Sequence, residues 1–304
     1  MDEKRLYLID ATAFCYRAFY AVRGLATSFG QPTGAIYGFI NMLNKILKEN
    51  KPVYIAACFD VSRDTFRTKK FAEYKIQRPP MPDDLSSQMP LIKEALSGYG
   101  IKILEKEGFE ADDIIATLSR KAKAKGMRTI IITSDKDILQ LVDKDTEVYS
   151  PYKDEGVTYD EEKVKERFGI SPKQIADLIS LMGDNVDNIP GIPGIGEKTA
   201  SALIQEFGSV DKLLAHPDKV GKEKLRLAIK ENAKLIKLNK ELAVLVEDVD
   251  LDFGPEDLKI GEAKLGELGR LFKRLEFKKF LKELKIEEHE PVSTVEIGAW
   301  SAKD

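Results

Sequence analysis

The sequence predicts an α/β protein, a doubly wound and mostly parallel sheet followed by an all-helical region. Three observations carry that expectation. LYLID (6–10), VYIAACFD (53–60), IKILE (101–105) and TIIITSD (129–135) are apolar almost throughout, as strands buried on both faces are. Segments of helical periodicity lie between them. Beyond about residue 170 the strand-like runs stop and only helical patterns continue.

The helices follow in order. Ile36, Phe39, Ile40, Leu43, Ile46 and Leu47 fall on one helical face, and Ile114, Ile115, Leu118 and Ala122 on another. Ser171-Pro172-Lys173-Gln174 is a capping box with proline at the first helical position, opening a helix through about Met182. GDNVDNIPGIPGIG (183–196) is a loop into a helix over 197–207, with further helices near 209–215 and 222–246. A break at 254–262 precedes a basic amphipathic helix over 263–285, and 286–304 reads as a linker. The expected organisation is therefore an α/β core over 1–170 with a basic arch near 63–85, a helical domain over 171–262, and a terminal helix and linker over 263–304.

Composition narrows the function. The 304 residues suffice for two cores. No apolar run approaches the ~18 residues that span a bilayer, and Met-Asp-Glu-Lys-Arg leads straight into a strand-like run, so no membrane or secreted protein is expected. Cys15 and Cys58 have no CxxC partner, which argues against zinc and a disulfide framework. With only His216 and His289, a histidine-based triad has little to draw on. Chemistry has to rest on carboxylates, lysines and a metal.

The net charge is −3, but the signs are segregated. RDTFRTKKFAEYKIQR (63–78) carries six basic and two acidic residues, whereas acids group at 110–113, 135–137 and 184–187. Such segregation suits a protein that holds cations beside a polyanion.

Three predicted strands end in an aspartate, Asp10, Asp60 and Asp135, and ligands of open α/β sheets bind beyond the carboxyl ends of the strands. Aspartate is also a common turn former, so it is the convergence that argues for a site. Glu110, Asp112 and Asp113 open a helix. Asp135 and Asp137 would project to one side of an extended backbone, and Asp184 and Asp187 stand at the mouth of the helical region. Nine carboxylates cannot share a cleft ionised without compensation. Oxygen ligands favour Mg²⁺ or Mn²⁺, and the number suits two divalent ions about 3.5–4 Å apart, the arrangement that cleaves phosphodiesters. With these acids set aside the remainder of the chain is basic, as in a nucleic-acid-binding protein.

Two segments read as phosphate-binding. GIPGIGEKT (191–199) nearly matches a P-loop, but Glu197 separates Gly196 from Lys198 and no strand precedes it, so an ATP site is excluded. As a hairpin between helices it fits better: Gly191, Gly194 and Gly196 allow close approach, and the helix that starts near Lys198 and Thr199 offers free N–H groups to a phosphate. Such contacts position a duplex without reading it. The basic segment interleaves Phe66, Phe71 and Tyr74 with Arg63, Arg67, Lys69, Lys70, Lys75 and Arg78, a composition that holds single strands. A non-catalytic DNA-binding module with structural acids is the alternative from another class.

LIDATAFCYRAFYA (8–21), FRTKKFAEYKIQRPPMPDDL (66–85), GFEADDIIATL (108–118), TSDKDILQL (133–141) and GDNVDNIPGIPGIGEKTA (183–200) give the chain a family resemblance. Over about residues 5–250 it resembles the flap endonuclease family, in particular the 5′-nuclease domains at the N-terminus of bacterial DNA polymerase I. The resemblance implies 5′→3′ exonuclease and structure-specific endonuclease action on duplex DNA with a 5′ single-stranded flap or RNA primer, in replication and repair. It implies that Asp10, Asp60, Glu110 and Asp112 surround a first divalent ion. Asp135, Asp137 and Asp187 would serve a second, with Asp113 and Asp184 acting through waters. Lys75 and Arg78 would approach the scissile phosphate from a mobile arch while Tyr74 stacks on a displaced base. Loop 191–196 matches a helix-three-turn-helix element that grips the duplex and often carries K⁺ on backbone carbonyls. A cytoplasmic, nucleoid-associated monomer follows, either separately encoded or part of a longer chain with polymerase domains.

Overall fold

The apolar runs pair as strands. This computed structural model describes residues 4–151 and 156–284. In it β1 (Arg5–Asp10), β2 (Tyr54–Cys58), β3 (Lys102–Leu104), β4 (Arg128–Ile132), β5 (Thr146–Ser150) and β6 (Val157–Tyr159) form one sheet in the order β3-β2-β1-β4-β5-β6. Leu8 of β1 lies opposite Ala56 on one side and Ile131 on the other; β1 to β5 run parallel and β6 is antiparallel to β5. The pleat sends Leu6 and Leu8 into one core and Tyr7 and Ile9 into another, all at most 4% exposed. Burial on both faces demands an apolar residue at every position, which is why the run is continuous. β5 and β6 lie towards one edge of the sheet and are half-exposed. Their polar content, TEVYS and VTY, hid them from the apolar criterion.

Helices α1 (Ala11–Ala21), α2 (Gly34–Asn50), α3 (Phe66–Lys70), α4 (Asp83–Ser86), α5 (Met89–Gly98), α6 (Ala111–Ala124) and α7 (Glu161–Phe168) connect or flank the strands. The core on the Tyr7 face takes side chains from α1, α2 and α5, and that on the Leu8 face from α6. The helical region comprises α8 (Ile175–Met182), α9 (Glu197–Phe207), α10 (Val210–Ala215), α11 (Glu223–Glu231) and α12 (Ala233–Ala243). Its buried Leu178, Ile179, Leu203, Ile204 and Ile236 continue the Leu8-face core, so the helical region and the sheet share one apolar interior. α13 (Leu265–Arg274) and α14 (Lys278–Glu283) complete the Tyr7 face.

Several boundaries differ from expectation for local reasons. Residues 222–246 form two helices because the chain breaks at Asn232, whose side-chain amide donates to Ala228 O at 2.8 Å. The capping box at Ser171 opens a 3₁₀ turn, Pro172–Gln174, and α8 starts after it. The stretch 263–285 divides at Glu276, which has φ of +60° and lets Phe272, Phe277 and Phe280 gather with ring centroids 5.4–6.3 Å apart. These helices are not a trailing extension: Gly98 of α5 leaves the space that Leu268 fills, and Leu268, Leu271 and Phe272 are at most 1% exposed. Residues 285–304, the last residue of the expected helix and the whole expected linker, lie outside the described residues.

Candidate active site

Burial of apolar β1, β2 and β4 carries the acids at their carboxyl ends to one edge. Asp10 closes β1 and caps α1, its Oδ1 accepting the Ala13 N–H at 3.1 Å and its Oδ2 the Thr133 hydroxyl at 2.7 Å. Asp60 lies two residues past β2; its own N–H donates to Thr12 Oγ1, and its Oδ1 accepts the Ala111 N–H at 2.9 Å at the start of α6. Asp112 is half-buried in the first turn of α6. After β4 the chain turns. The Asp135 N–H donates to Thr133 Oγ1, and its Oδ1 accepts the Asp137 N–H at 2.9 Å. Asp137 opens a 3₁₀ turn, Asp137–Leu141, rather than continuing an extended strand, so the expected two-residue alternation is corrected.

These acids act on one another electrostatically. Burial raises the Asp10 carboxyl to about 7, with Asp60 and Asp135 adding repulsion. Burial also lifts Asp112 well above the carboxylate range, reinforced by Asp10, Asp135 and Asp60. Asp135 is raised by burial and by Asp187, and Asp137 by burial and by Asp135, Asp187 and Asp184. One oxygen of Asp137, Oδ1, is buried without a hydrogen-bond partner. Mutually repelling carboxylates and an orphaned oxygen are what a divalent cation would relieve. The group Asp10, Asp60, Asp112, Asp135 and Asp137 therefore fits cation binding, although among the described residues no three carboxylate, imidazole or thiol groups form a ready-made metal cage.

The other four acids meet protein cations in the chain by itself. Asp113 is 0% exposed and takes Arg67 in a two-pronged pair at 2.7 and 2.8 Å. Its oxygens also accept the Val246 and Glu110 N–H groups, so four protein donors already occupy it. Arg67, 1% exposed, is accordingly a structural cation and not a DNA contact. Tyr74, 4% exposed, is not free to stack on a base: its hydroxyl bonds Asp187 Oδ2 at 2.9 Å and Glu110 Oε2 at 3.2 Å. Lys75 Nζ lies 2.9 Å from Glu110 and 3.7 Å from Asp187, and Arg78 is 2.6 Å from Asp187. Burial would raise Asp187, but Lys75 and Arg78 hold it below the usual range. Burial would lower Lys75, yet Glu110 and Asp187 raise it, so it stays charged. Asp184 pairs with Lys136 at 2.9 Å. Of the remaining basic residues, Arg63, Lys69 and Lys70 are exposed; Lys69 and Lys70 meet only exposed acids, Asp64 and Glu241.

The hairpin is built as a close crossing. A Cβ on Gly191 would sit 2.2 Å from Met182 O, so only glycine passes there. Ile192 and Ile195 anchor the loop in the core, and Gly194 turns it with φ of +81°. Gly196 precedes α9, whose first turn presents exposed Lys198 and partly exposed Thr199. Beside it runs a cleft of about 520 Å³ lined by Lys198, Thr199, Lys219, Gly221 and Lys222. Another of about 570 Å³, around the Asp177–Lys240 pair, holds none of the nine acids. Thr133, Lys136 and Asn188 were not singled out from sequence; each lies inside or beside the SDKD and GDxxDN runs, the signal that marks them.

The parallel sheet, its acid-lined carboxyl edge and the glycine-turned helical region define a nuclease architecture. The chain belongs to the 5′-3′ exonuclease family: residues 5–169 match its N-terminal resolvase-like domain and residues 170–265 its C-terminal SAM fold. It is 43% identical over 281 residues to a 5′-3′ exonuclease of Aquifex aeolicus (strain VF5), covering 92% of this chain and 95% of that protein. It is 40% identical over 298 residues to DNA polymerase I of Bacillus caldotenax, covering 96% of this chain but 34% of that protein. The chain thus spans about a third of the length of the polymerase relatives and nearly all of the Aquifex protein. Among solved structures it superposes on the T5 D15 protein co-crystallised with metal ions with a TM-score of 0.68 at 20% identity, covering 93% of this chain and 98% of that one. The catalytic core of Rad2 in complex with DNA substrate gives 0.64 at 20% identity, covering 93% and 92%.

Proposed function

We propose that this chain hydrolyses phosphodiester bonds at 5′ ends of duplex DNA, at flaps, nicks and RNA-primed junctions, with divalent ions bound by Asp10, Asp60, Asp112, Asp135 and Asp137. The observation that carries this reading is the set of mutually repelling acids at the sheet's carboxyl edge, faced by charged Lys75 and Arg78. Metal ions in the T5 D15 crystals and a DNA substrate on Rad2 support it. Mg²⁺ or Mn²⁺ suits all-oxygen donors. When bound, such ions supply water activation and neutralise charge on the leaving oxygen. Asp187, with Asp135 and Asp137, would hold a second ion once Lys75 and Arg78 turn from its carboxylate to a bound phosphate.

The chain's own groups do the rest. Lys75 and Arg78 pair with carboxylates in the free protein, and a scissile phosphate offers them a competing anion; their charge then stabilises the transition state. The Gly191–Gly196 loop and the start of α9, with Lys198 and Thr199, hold a duplex phosphate through backbone N–H groups. Carbonyls of the same loop are the proposed seat of K⁺. Arg63, Lys69 and Lys70 continue the basic surface toward a single strand. No helix among the described residues is long and apolar enough to cross a membrane. A DNA substrate supports a nucleoid location, with polymerase domains, attached or separate, as partners.

The test is cleavage of a 5′-labelled flap duplex with Mg²⁺ and then with EDTA. A metal-dependent short product is expected. Its absence favours the non-catalytic module, and full cleavage by both Asp112→Asn and Asp135→Asn overturns the ligand assignment.

A further inference from the structure

The GDxxDN run ends in Asn188, whose side-chain hydrogen bonds go to Glu73 and Gln77 and which has no place in the chemistry above. It has φ of +55°, in the left-handed region that asparagine tolerates better than most residues. In that conformation its side chain bridges to the arch. The amide Nδ2 donates to Glu73 O at 2.7 Å, and Oδ1 accepts from Gln77 Nε2 at 2.9 Å. Beside it, Asp187 O accepts the Lys75 N–H at 2.9 Å. Segment 73–78 is thus held at both ends, with Lys75 between the two side-chain contacts.

Two further observations give this clamp a purpose. Lys75 has φ of +54°, a conformation costly for a lysine, so its turn needs support from outside. Asn188 sits on a rigid base. Asp184 and Ile189 exchange two backbone hydrogen bonds at 2.8 Å, and buried Asn239 donates to Pro190 O at 2.7 Å and Ser180 O at 3.0 Å. A Cβ on Gly183 would lie 2.3 Å from Gly191 N, so loop and hairpin cross in contact.

We propose that Asn188 is a positioning residue: it clamps the Glu73–Gln77 turn onto the loop of the helical region and so sets where the Lys75 ammonium stands. This rests on the role given to Lys75 above. The same loop continues into the hairpin at Gly191, so the duplex grip and the Lys75 ammonium are registered on one rigid base.

Asn188→Gly keeps the backbone conformation and removes both hydrogen bonds. On a 5′-flap duplex with Mg²⁺ it is expected to lower kcat about tenfold, with KM changed by less than about twofold. Asn188→Asp, which keeps the acceptor for Gln77, is expected to fall between. In a Lys75→Ala background the Asn188→Gly change is expected to have no further effect, because the two act as one unit. A readout independent of metal is trypsin cleavage after Lys75, expected to quicken several-fold in metal-free Asn188→Gly. Should Asn188→Gly not fold, Gln77→Ala at an exposed position breaks the clamp from the arch side. Wild-type kcat in these variants, or losses that multiply with Lys75→Ala, overturns the inference alone. Wild-type turnover in Lys75→Ala itself removes the Lys75 role and this inference with it.

Discussion

Arg67 grips Asp113 through two hydrogen bonds, 2.7 and 2.8 Å long, with both side chains sealed from water. The guanidinium also donates to the Leu242 and Val244 carbonyls, so it ties α3, α6 and the end of α12 into one joint. Removing one partner leaves a buried charge uncompensated. Arg67→Met is expected to cost about 3–5 kcal/mol, while Arg67→Met with Asp113→Leu recovers only part of that loss, because the Val246 and Glu110 N–H groups then lose their acceptor. Urea denaturation of the three proteins checks this; a near-neutral Arg67→Met would show the pair to be dispensable.

The raised carboxyls give a pH signature. An Asp whose folded pKa is about 7 rather than 3.8 keeps its proton in the native state while the unfolded chain has lost it. Stability therefore falls as pH rises between these values. Carboxylates with lowered pKa, such as Asp187, are ionised in both states above pH 5.5 and do not mask the trend. In EDTA the protein is expected to melt several degrees lower at pH 8 than at pH 5.5. Mg²⁺, binding the ionised acids, is expected to reverse much of the difference. Identical melting curves at the two pH values would argue against convergence of these acids.

Lys75 separates binding from chemistry. Its ammonium is charged and held beside the acids by Glu110 and Asp187. If it meets charge that develops in the transition state, Lys75→Ala lowers kcat by about 100-fold and leaves KM nearly unchanged. A rise in KM at constant kcat would make it a simple substrate contact.

The hairpin offers two glycines with opposite expectations. Gly194 has φ of +81°, so Gly194→Val strains the turn and is expected to lower both stability and duplex affinity. Gly196 has φ of −94° and nothing within 4 Å of a would-be Cβ. Gly196→Ala is therefore expected to fold as wild type yet weaken duplex binding several-fold, because the added methyl meets only the phosphate. Fluorescence anisotropy with a duplex, alongside thermal melting, tells the two apart; unchanged affinity in Gly196→Ala removes close phosphate approach at that position.

Much of the architecture was legible in one dimension. LYLI and TIII are apolar at every position because a central parallel strand is buried on both faces, and that requirement is written residue by residue. The order of the acids, Asp10, Asp60, Glu110-Asp112 and Asp135, was equally plain, since strand ends and a helix start deliver them to one edge, and Asp187 comes from the loop before the hairpin. What no local pattern contains is which charge each acid meets. Arg67 reads as one more cation in a basic stretch until folding places it against Asp113, 46 positions away, and Arg78 against Asp187, 109 away. Coulomb energy depends on distance in space and on exclusion of water, and both are properties of the packed chain. Sequence alone supplied the four apolar strands, the helical hairpin and the inventory of acids; the tertiary structure added the two polar strands and decided which acids are neutralised within the protein and which are left to repel one another.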